Sequence, residues 1–248
     1  MPLHALLLED DPGIQSFVTL ALEDMPVVLH CCASLQAARA LLRERKPSLV
    51  LADMHLPDGN GLELLTQLCQ HNQPPYCIVF SGDIAPALER QLLQQGVRRV
   101  LHKPVSVATL RDSVHTALAS LNHGATLASD TDSDMASDTA PASAAPPPPP
   151  DPVATYFGGN HSLYAAWRSA CLAQLPADLA AAQAALASGD SATLRRLAHN
   201  LKSALAMLGQ PQSAELARQL EQQAEEGHST SLRTDWQRLR QQVLPLCS

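Results

Sequence analysis

Five times in the first 121 residues, an apolar run of strand length is followed by a stretch with helical apolar spacing. HALLLED precedes PGIQSFVTLALEDM, VVLHCC precedes SLQAARALLRERK, and SLVLAD precedes GLELLTQLCQHN. YCIVFSG then precedes IAPALERQLLQQG, and VRRVL precedes SVATLRDSVHTALASL. A short run that is apolar throughout reads as a strand buried on both faces, and strands separated by helices pair in parallel because the helix supplies the crossover. The pattern predicts an α/β fold: a five-stranded parallel sheet covered by helices on both faces.

The pattern stops abruptly. Residues 122–152 hold five aspartates, no Lys or Arg, and a run of prolines from Pro146 to Pro150. Such a stretch buries too little apolar surface to offset its ordering entropy, so it is expected to be a disordered Asp/Ser/Ala/Pro linker. It divides the chain into residues 1–121, the linker 122–152, and residues 153–248. Beyond it no strand pattern occurs, only helix-period spacing punctuated by Pro176, Gly189, Gly209 and Gly227, which predicts an all-α helical bundle.

Charge and composition narrow the partners. The chain has 17 basic residues against 24 acidic ones and only 3% aromatics, which provides neither the cationic field nor the stacking surface of a nucleic-acid binder, so no direct DNA binding is expected. The six cysteines show no CxxC spacing and are expected to be reduced thiols. MPLHALLLEDD lacks the basic segment of a signal peptide, and no apolar stretch is read as a membrane span, so the expected setting is cytoplasmic with no membrane partner.

In an open parallel sheet the functional crevice lies at the carboxyl ends of the strands. Here the first run ends in Glu9, Asp10 and Asp11, the third in Asp53 and the fourth in Ser81, and the fifth is followed by Lys103 and Pro104. Three aspartates from two strands would converge, and their mutual repulsion makes sense around an oxygen-preferring cation such as Mg²⁺. Acid pair, central aspartate, hydroxyl and lysine would surround one phosphoryl group, with Asp53 as the nucleophile.

In the second half, SATLRRLAHNLKSALAMLGQ places Leu194, Leu197, Leu201, Leu205 and Leu208 at spacings of three and four, an apolar stripe on one helix face. On a helical wheel His199 lies about 160° from Leu197 and Leu201, and Arg195, Arg196, Lys202 and Ser203 fall within about 60° of it. The expected imidazole is therefore exposed, nucleophilic and ringed by cations suited to a phosphate.

The segment LADMHLPDGNGLELL, with LLLEDDPG, VFSGD and VLHKPV in their expected places, resembles the receiver domain of two-component response regulators over residues 3–121. YFGGNHSLYAAWRSACL, the AALASGDSATLRRLAHNLKSALAMLG core and AELARQLEQQAEEG resemble histidine phosphotransfer (HPt) domains over residues 156–245. The first resemblance implies a flavodoxin-like fold, a phosphoacceptor at Asp53, Mg²⁺ held by Asp10, Asp11 and Asp53 with the Met54 carbonyl, and a cis Lys103-Pro104 peptide. His55 and Asp83 match positions that tune the lifetime of the aspartyl phosphate, and Val100 stands where the family usually has an aromatic. The second resemblance implies an all-α four-helix bundle in which His199 accepts and donates phosphate with Lys202 beside it, while Ser203 replaces a more frequent glycine.

No Gly-rich ATP-binding box occurs, so the chain is expected to be a phosphoacceptor and transfer protein and not a kinase. The function the resemblance implies is a phosphorelay step. A sensor histidine kinase, hybrid or not, supplies phosphate to Asp53, and His199 exchanges it with a downstream response regulator. Two alternatives stay open: the receiver acts as a phosphorylation-controlled switch on the HPt surface, or it acts as a phosphate sink. As a coil the linker would span about 30 Å, enough for the two halves to meet.

Overall fold

The computed structural model describes residues 2–82, 84–122, 151–226 and 229–247. The linker expected at 122–152 falls almost wholly outside these residues, as does Asp83. The first half runs β1 (Leu3–Leu8), α1 (Pro12–Ala21), β2 (Val27–Cys32), α2 (Leu35–Glu44), β3 (Leu49–Ala52), β4 (His55–Leu56), β5 (Gly59–Asn60), α3 (Gly61–Cys69), β6 (Tyr76–Ser81), α4 (Pro86–Gln94), β7 (Arg99–His102) and α5 (Val107–Asn122). Each predicted strand and helix is present. The two-residue pair β4–β5 is an addition that no hydrophobic period announces.

The strands form one parallel sheet in the order β2-β1-β3-β6-β7. Side chains alternate across it. Ala5, Leu7, Leu49, Leu51, Ile78 and Phe80 face one core with Ile14, Phe17 and Val18 of α1 and Leu110 and Val114 of α5. Leu6, Leu8, Val50, Ala52, Cys77 and Val79 face the other, with Ala38 of α2 and Leu64 and Leu65 of α3; Val100 packs against this side. This is the doubly wound arrangement expected, and the strand order reverses between β1 and β3, which opens the crevice at their carboxyl ends. Local signals set the helix starts. Asp11 and Asn60 cap α1 and α3, and the Asp58 carboxylate accepts the Leu35 and Gln36 amides at 2.8 Å each, fastening α2 to the β4–β5 turn.

The second half has α6 (Pro152–Phe157), α7 (His161–Ser188), α8 (Ser191–Met207), α9 (Pro211–Glu226), α10 (Ser229–Val243) and a terminal 3₁₀ turn, Leu244–Cys247. Helices α7 to α10 are the four of the predicted bundle. Pro176, expected as a break, lies inside α7, where it deprives the Leu172 carbonyl of an amide partner without ending the helix. Gly189 and Gly209 do end helices, with φ of +76° and +74°. By length and composition α7 could cross a membrane, with mean hydropathy 1.2, a stretch the sequence reading did not single out. Its stripe of Trp167, Cys171, Leu175, Leu179, Ala182 and Ala185 is buried, and the helix packs against α1 and α8. All six cysteines are free.

The two halves share one core. Phe157 meets Phe17 edge-on at 5.7 Å, and Tyr164 and Trp167 surround Phe157 at ring separations of 5.1 Å each. The Trp167 indole nitrogen donates to the Gly13 carbonyl at 3.1 Å, across the junction between α7 and α1. Fully buried aromatics of this size dominate the energetics of a contact. Trp167→Ala is expected to lower the unfolding free energy by about 3–5 kcal/mol, read from urea denaturation. A loss under 1 kcal/mol would mean that α7 does not pack on α1 in solution.

Candidate functional site at the domain junction

The carboxyl edge of the sheet carries a buried charge network. Asp53 follows β3, Glu9 and Asp10 follow β1, and Lys103 follows β7. The Lys103 ammonium donates to Asp53 Oδ2 at 2.7 Å and to Glu9 Oε2 at 2.5 Å, with all three residues buried. Its peptide bond to Pro104 is cis. Burial alone would drive the proton off Lys103, but the Asp53 and Glu9 carboxylates outweigh it and hold the ammonium above its ordinary value. Burial pushes Glu9 well up, against the pull of Lys103. Asp53 is also buried, yet Lys103 and then His199 bring its carboxyl below the usual range. The chain turns tightly here, since a Cβ on Gly61 would stand 2.0 Å from the Asp53 carbonyl oxygen.

One carboxylate oxygen each from Glu9, Asp10 and Asp53 lies within 4.8 Å of the others. Asp11, expected in this set, is not in it. Its Oδ1 accepts the Gly13 and Ile14 amides at 2.7 and 3.3 Å as the N-cap of α1, and burial raises its carboxyl to about 6. Glu9 stands where Asp11 was expected, because the strand ends at Leu8 and the first two residues after it enter the crevice while the third begins the helix. The Met54 carbonyl accepts the Gly61 amide at 3.0 Å, leaving it one lone pair. Ser81 Oγ is buried with no hydrogen-bond partner.

His199 was expected on an exposed face; the structure buries it, with 2% of its surface accessible. The helical wheel holds, because the imidazole does point away from the leucine stripe of its own bundle. What a wheel cannot show is that the receiver edge covers that face. A Cβ on Gly82 would come within 2.6 Å of His199 Cε1, so the backbone after β6 rests on the ring. The rings of His55 and His199 are 5.1 Å apart, and one ring nitrogen of each lies within 4.8 Å of an Asp53 carboxylate oxygen. Arg196 pairs with Asp10 Oδ2, to which Asn200 also donates at 3.4 Å. Arg195 instead pairs at 3.5 Å with Glu225, away from the ring.

Glu221 of α9 was missed. Its Oε1 is 2.7 Å from His199 Nδ1, and its Oε2 accepts from Lys202 at 2.8 Å. Burial opposes ionisation of Glu221, but the His199 hydrogen bond and charge, followed by Lys202, hold its carboxyl down to about 2. An ionised carboxylate only accepts, so Nδ1 carries a hydrogen, while Nε2 is buried with no hydrogen-bond partner. A signal was available: Glu221 continues the spacing of Ala214, Ala217 and Ala224, an acid in the stripe by which α9 packs on α8.

The family model for the response regulator receiver domain matches residues 5–115, and that for the Hpt domain matches residues 166–244. Over 116 residues the chain is 35% identical to the response regulator protein PilR of Pseudomonas aeruginosa, covering 46% of this chain and 26% of that protein. It is 32% identical over 127 residues to the KDP operon transcriptional regulatory protein KdpE of Escherichia coli, covering 51% and 55%. With the sensor histidine kinase AruS of Pseudomonas aeruginosa it shares 38% identity over 78 residues, 30% of this chain and 8% of that one. The chain thus spans about a quarter to a half of the curated response regulators it matches. Receiver and Hpt domains are phosphoacceptor and transfer modules and not kinase domains, and receivers generally bind Mg²⁺ at their acidic pocket. The chain belongs with the two-component signalling proteins, a response regulator receiver domain and an Hpt domain in one polypeptide, the makeup of a phosphorelay protein.

Proposed function

We propose that the phosphoryl group passes between Asp53 and His199 within one molecule, loaded from a sensor histidine kinase and delivered to a separate response regulator. The observation that carries this is that a His199 ring nitrogen lies within 4.8 Å of an Asp53 carboxylate oxygen, no farther than one phosphorus with two partial bonds can bridge. The His199 Nε2 lone pair attacks phosphorus, the P–N bond forms as the acyl P–O bond breaks, and the electron pair returns to the carboxylate. No proton has to move. Glu221 accepts from the Nδ1–H and offsets the positive charge of the phosphorylated ring, and with Nδ1 protonated the imidazole departs as a neutral leaving group in the onward step. Lys103 stands at the Asp53 oxygens, Lys202 lies near Gly82, and the Ser81 hydroxyl has no other partner to serve.

Glu9, Asp10 and Asp53 fit a Mg²⁺ ion, because Asp10 Oδ1 is buried without a hydrogen-bond partner beside two further carboxylates. When bound, the ion would offset negative charge on the transferring phosphoryl oxygens. Asp53 is fully buried and His199 nearly so, so the halves must part for the kinase to reach the first and the regulator to reach the second. That same closure supports the alternative in which the receiver gates the HPt surface. The relay requires label to move from Asp53 to His199; the gate does not.

After loading by a labelled kinase, Asp53→Ala is expected to take up no phosphate on the receiver, and His199→Ala to load but deliver none to a downstream regulator. Delivery by His199→Ala at the wild-type rate would refute the relay. Gly82→Val, which places methyls against the His199 ring, is expected to slow passage to His199 at least about tenfold with loading of Asp53 intact, each such factor being about 1.4 kcal/mol of barrier. For the ion, Asp10→Asn is expected to weaken Mg²⁺ binding strongly, measured by calorimetry. Asp11→Asn keeps an equally good N-cap and is expected to leave Mg²⁺ affinity unchanged. It should also stabilise the fold as pH rises from about 4 through about 6, where wild-type Asp11 must ionise while buried.

A further inference from the structure

The junction holds a second constellation that phosphate transfer does not require. His55, on β4, brings its imidazole against His199 and Asp53, and its Nδ1 is buried without a hydrogen-bond partner, as is His199 Nε2. Two imidazoles, each with a buried, unpartnered nitrogen and each bringing a ring nitrogen within 4.8 Å of the other's and of a carboxylate oxygen, are a poor arrangement for a dry interface and a good one for a cation with affinity for nitrogen. We propose that Asp53, His55 and His199 form an interdomain binding site for a divalent transition ion of the zinc class, complete only when the two domains are docked.

The donor chemistry selects the ion. Imidazole suits Zn²⁺ and its neighbours, whereas Mg²⁺ prefers an all-oxygen set and has one in Glu9, Asp10 and Asp53. Glu221 holds the far nitrogen of His199, the carboxylate–histidine arrangement that orients metal-bound imidazoles. Asp53 keeps Lys103 on Oδ2, while Oδ1 takes only the His55 amide at 3.1 Å. Metal–ligand lengths of about 2.0–2.2 Å put tetrahedral donors about 3.4 Å apart. The three atoms, now within 4.8 Å, close on an ion by side-chain rotation, and a water completes the fourth position. A bound ion would occupy both groups that exchange phosphate, so binding and transfer would exclude each other. That consequence rests on the relay, whereas the binding itself does not.

The test is therefore made without phosphate, by titrating the full chain with Zn²⁺ in excess Mg²⁺ and with Co²⁺, whose visible absorption reports four-coordination. One ion per chain is expected. His55→Ala and His199→Ala should each weaken binding at least about tenfold, and Gly82→Val, which keeps all three ligands but parts the domains, should do the same. His4→Ala should change nothing, although the stacked rings of His4 and His30, with Nδ1 of one 3.2 Å from Nε2 of the other, could themselves take up metal. Wild-type affinity in His55→Ala or in Gly82→Val, or loss of binding in His4→Ala, would overturn the proposal. The metal-free melting temperature of His55→Ala guards against misfolding, and if that variant does not fold, Gly82→Val decides.

Discussion

Buried charge must be compensated, and this requirement organises the molecule. A parallel sheet with its strand order reversed between β1 and β3 gathers Glu9, Asp10 and Asp53 into one crevice, where water is scarce and like charges repel. Lys103 neutralises part of the set from within the receiver. The remainder is met from outside, where Arg196 of the bundle pairs with Asp10 and His199 lies over Asp53. The polar face of α8 and the acidic edge of the sheet are thus complementary, and each buries charge that would be costly alone.

Apolar packing fixes the orientation of that pairing. Phe157, Tyr164 and Trp167 join the α1 side of the receiver core to the bundle, and the Trp167 indole ties α7 to the Gly13 carbonyl at the start of α1. Hydrophobic contact is non-directional, while the hydrogen bond and the charged pairs are not, so together they set both the strength and the register of docking. Gly82 marks how close the fit is, since any side chain there would strike the His199 ring. Closed in this way, the junction buries both Asp53 and His199, the two proposed acceptors.

Much of this was legible in the residues, and the failures have particular causes. Periodicity placed all five sheet strands: the central β3 and β6 are buried on both faces and read as nearly unbroken apolar runs, while the partly exposed edge strands β2 and β7 were marked by their place between helical stretches. The two-residue strands of β4–β5 have no such run, yet they carry His55. Asp10 and Asp11 looked equivalent as letters in a row; only the backbone turn into α1 makes one a crevice residue and the other a cap. His199 was correctly turned away from the leucines, but exposure is a property of the whole molecule. Glu221 was passed over because its partner lies 22 residues away on a neighbouring helix.

The order of local residues therefore determined the two folds, the break between them, and the candidate groups Asp53, Lys103, Ser81 and His199, because strand runs, caps and helical stripes depend on neighbours along the chain. Tertiary structure alone decided that the two halves dock face to face. It decided too that Glu9 in place of Asp11 completes the acidic set, that Glu221 holds the imidazole, and that His55 stands beside both proposed acceptors. Those outcomes depend on distances between atoms far apart in the chain, which no local pattern encodes.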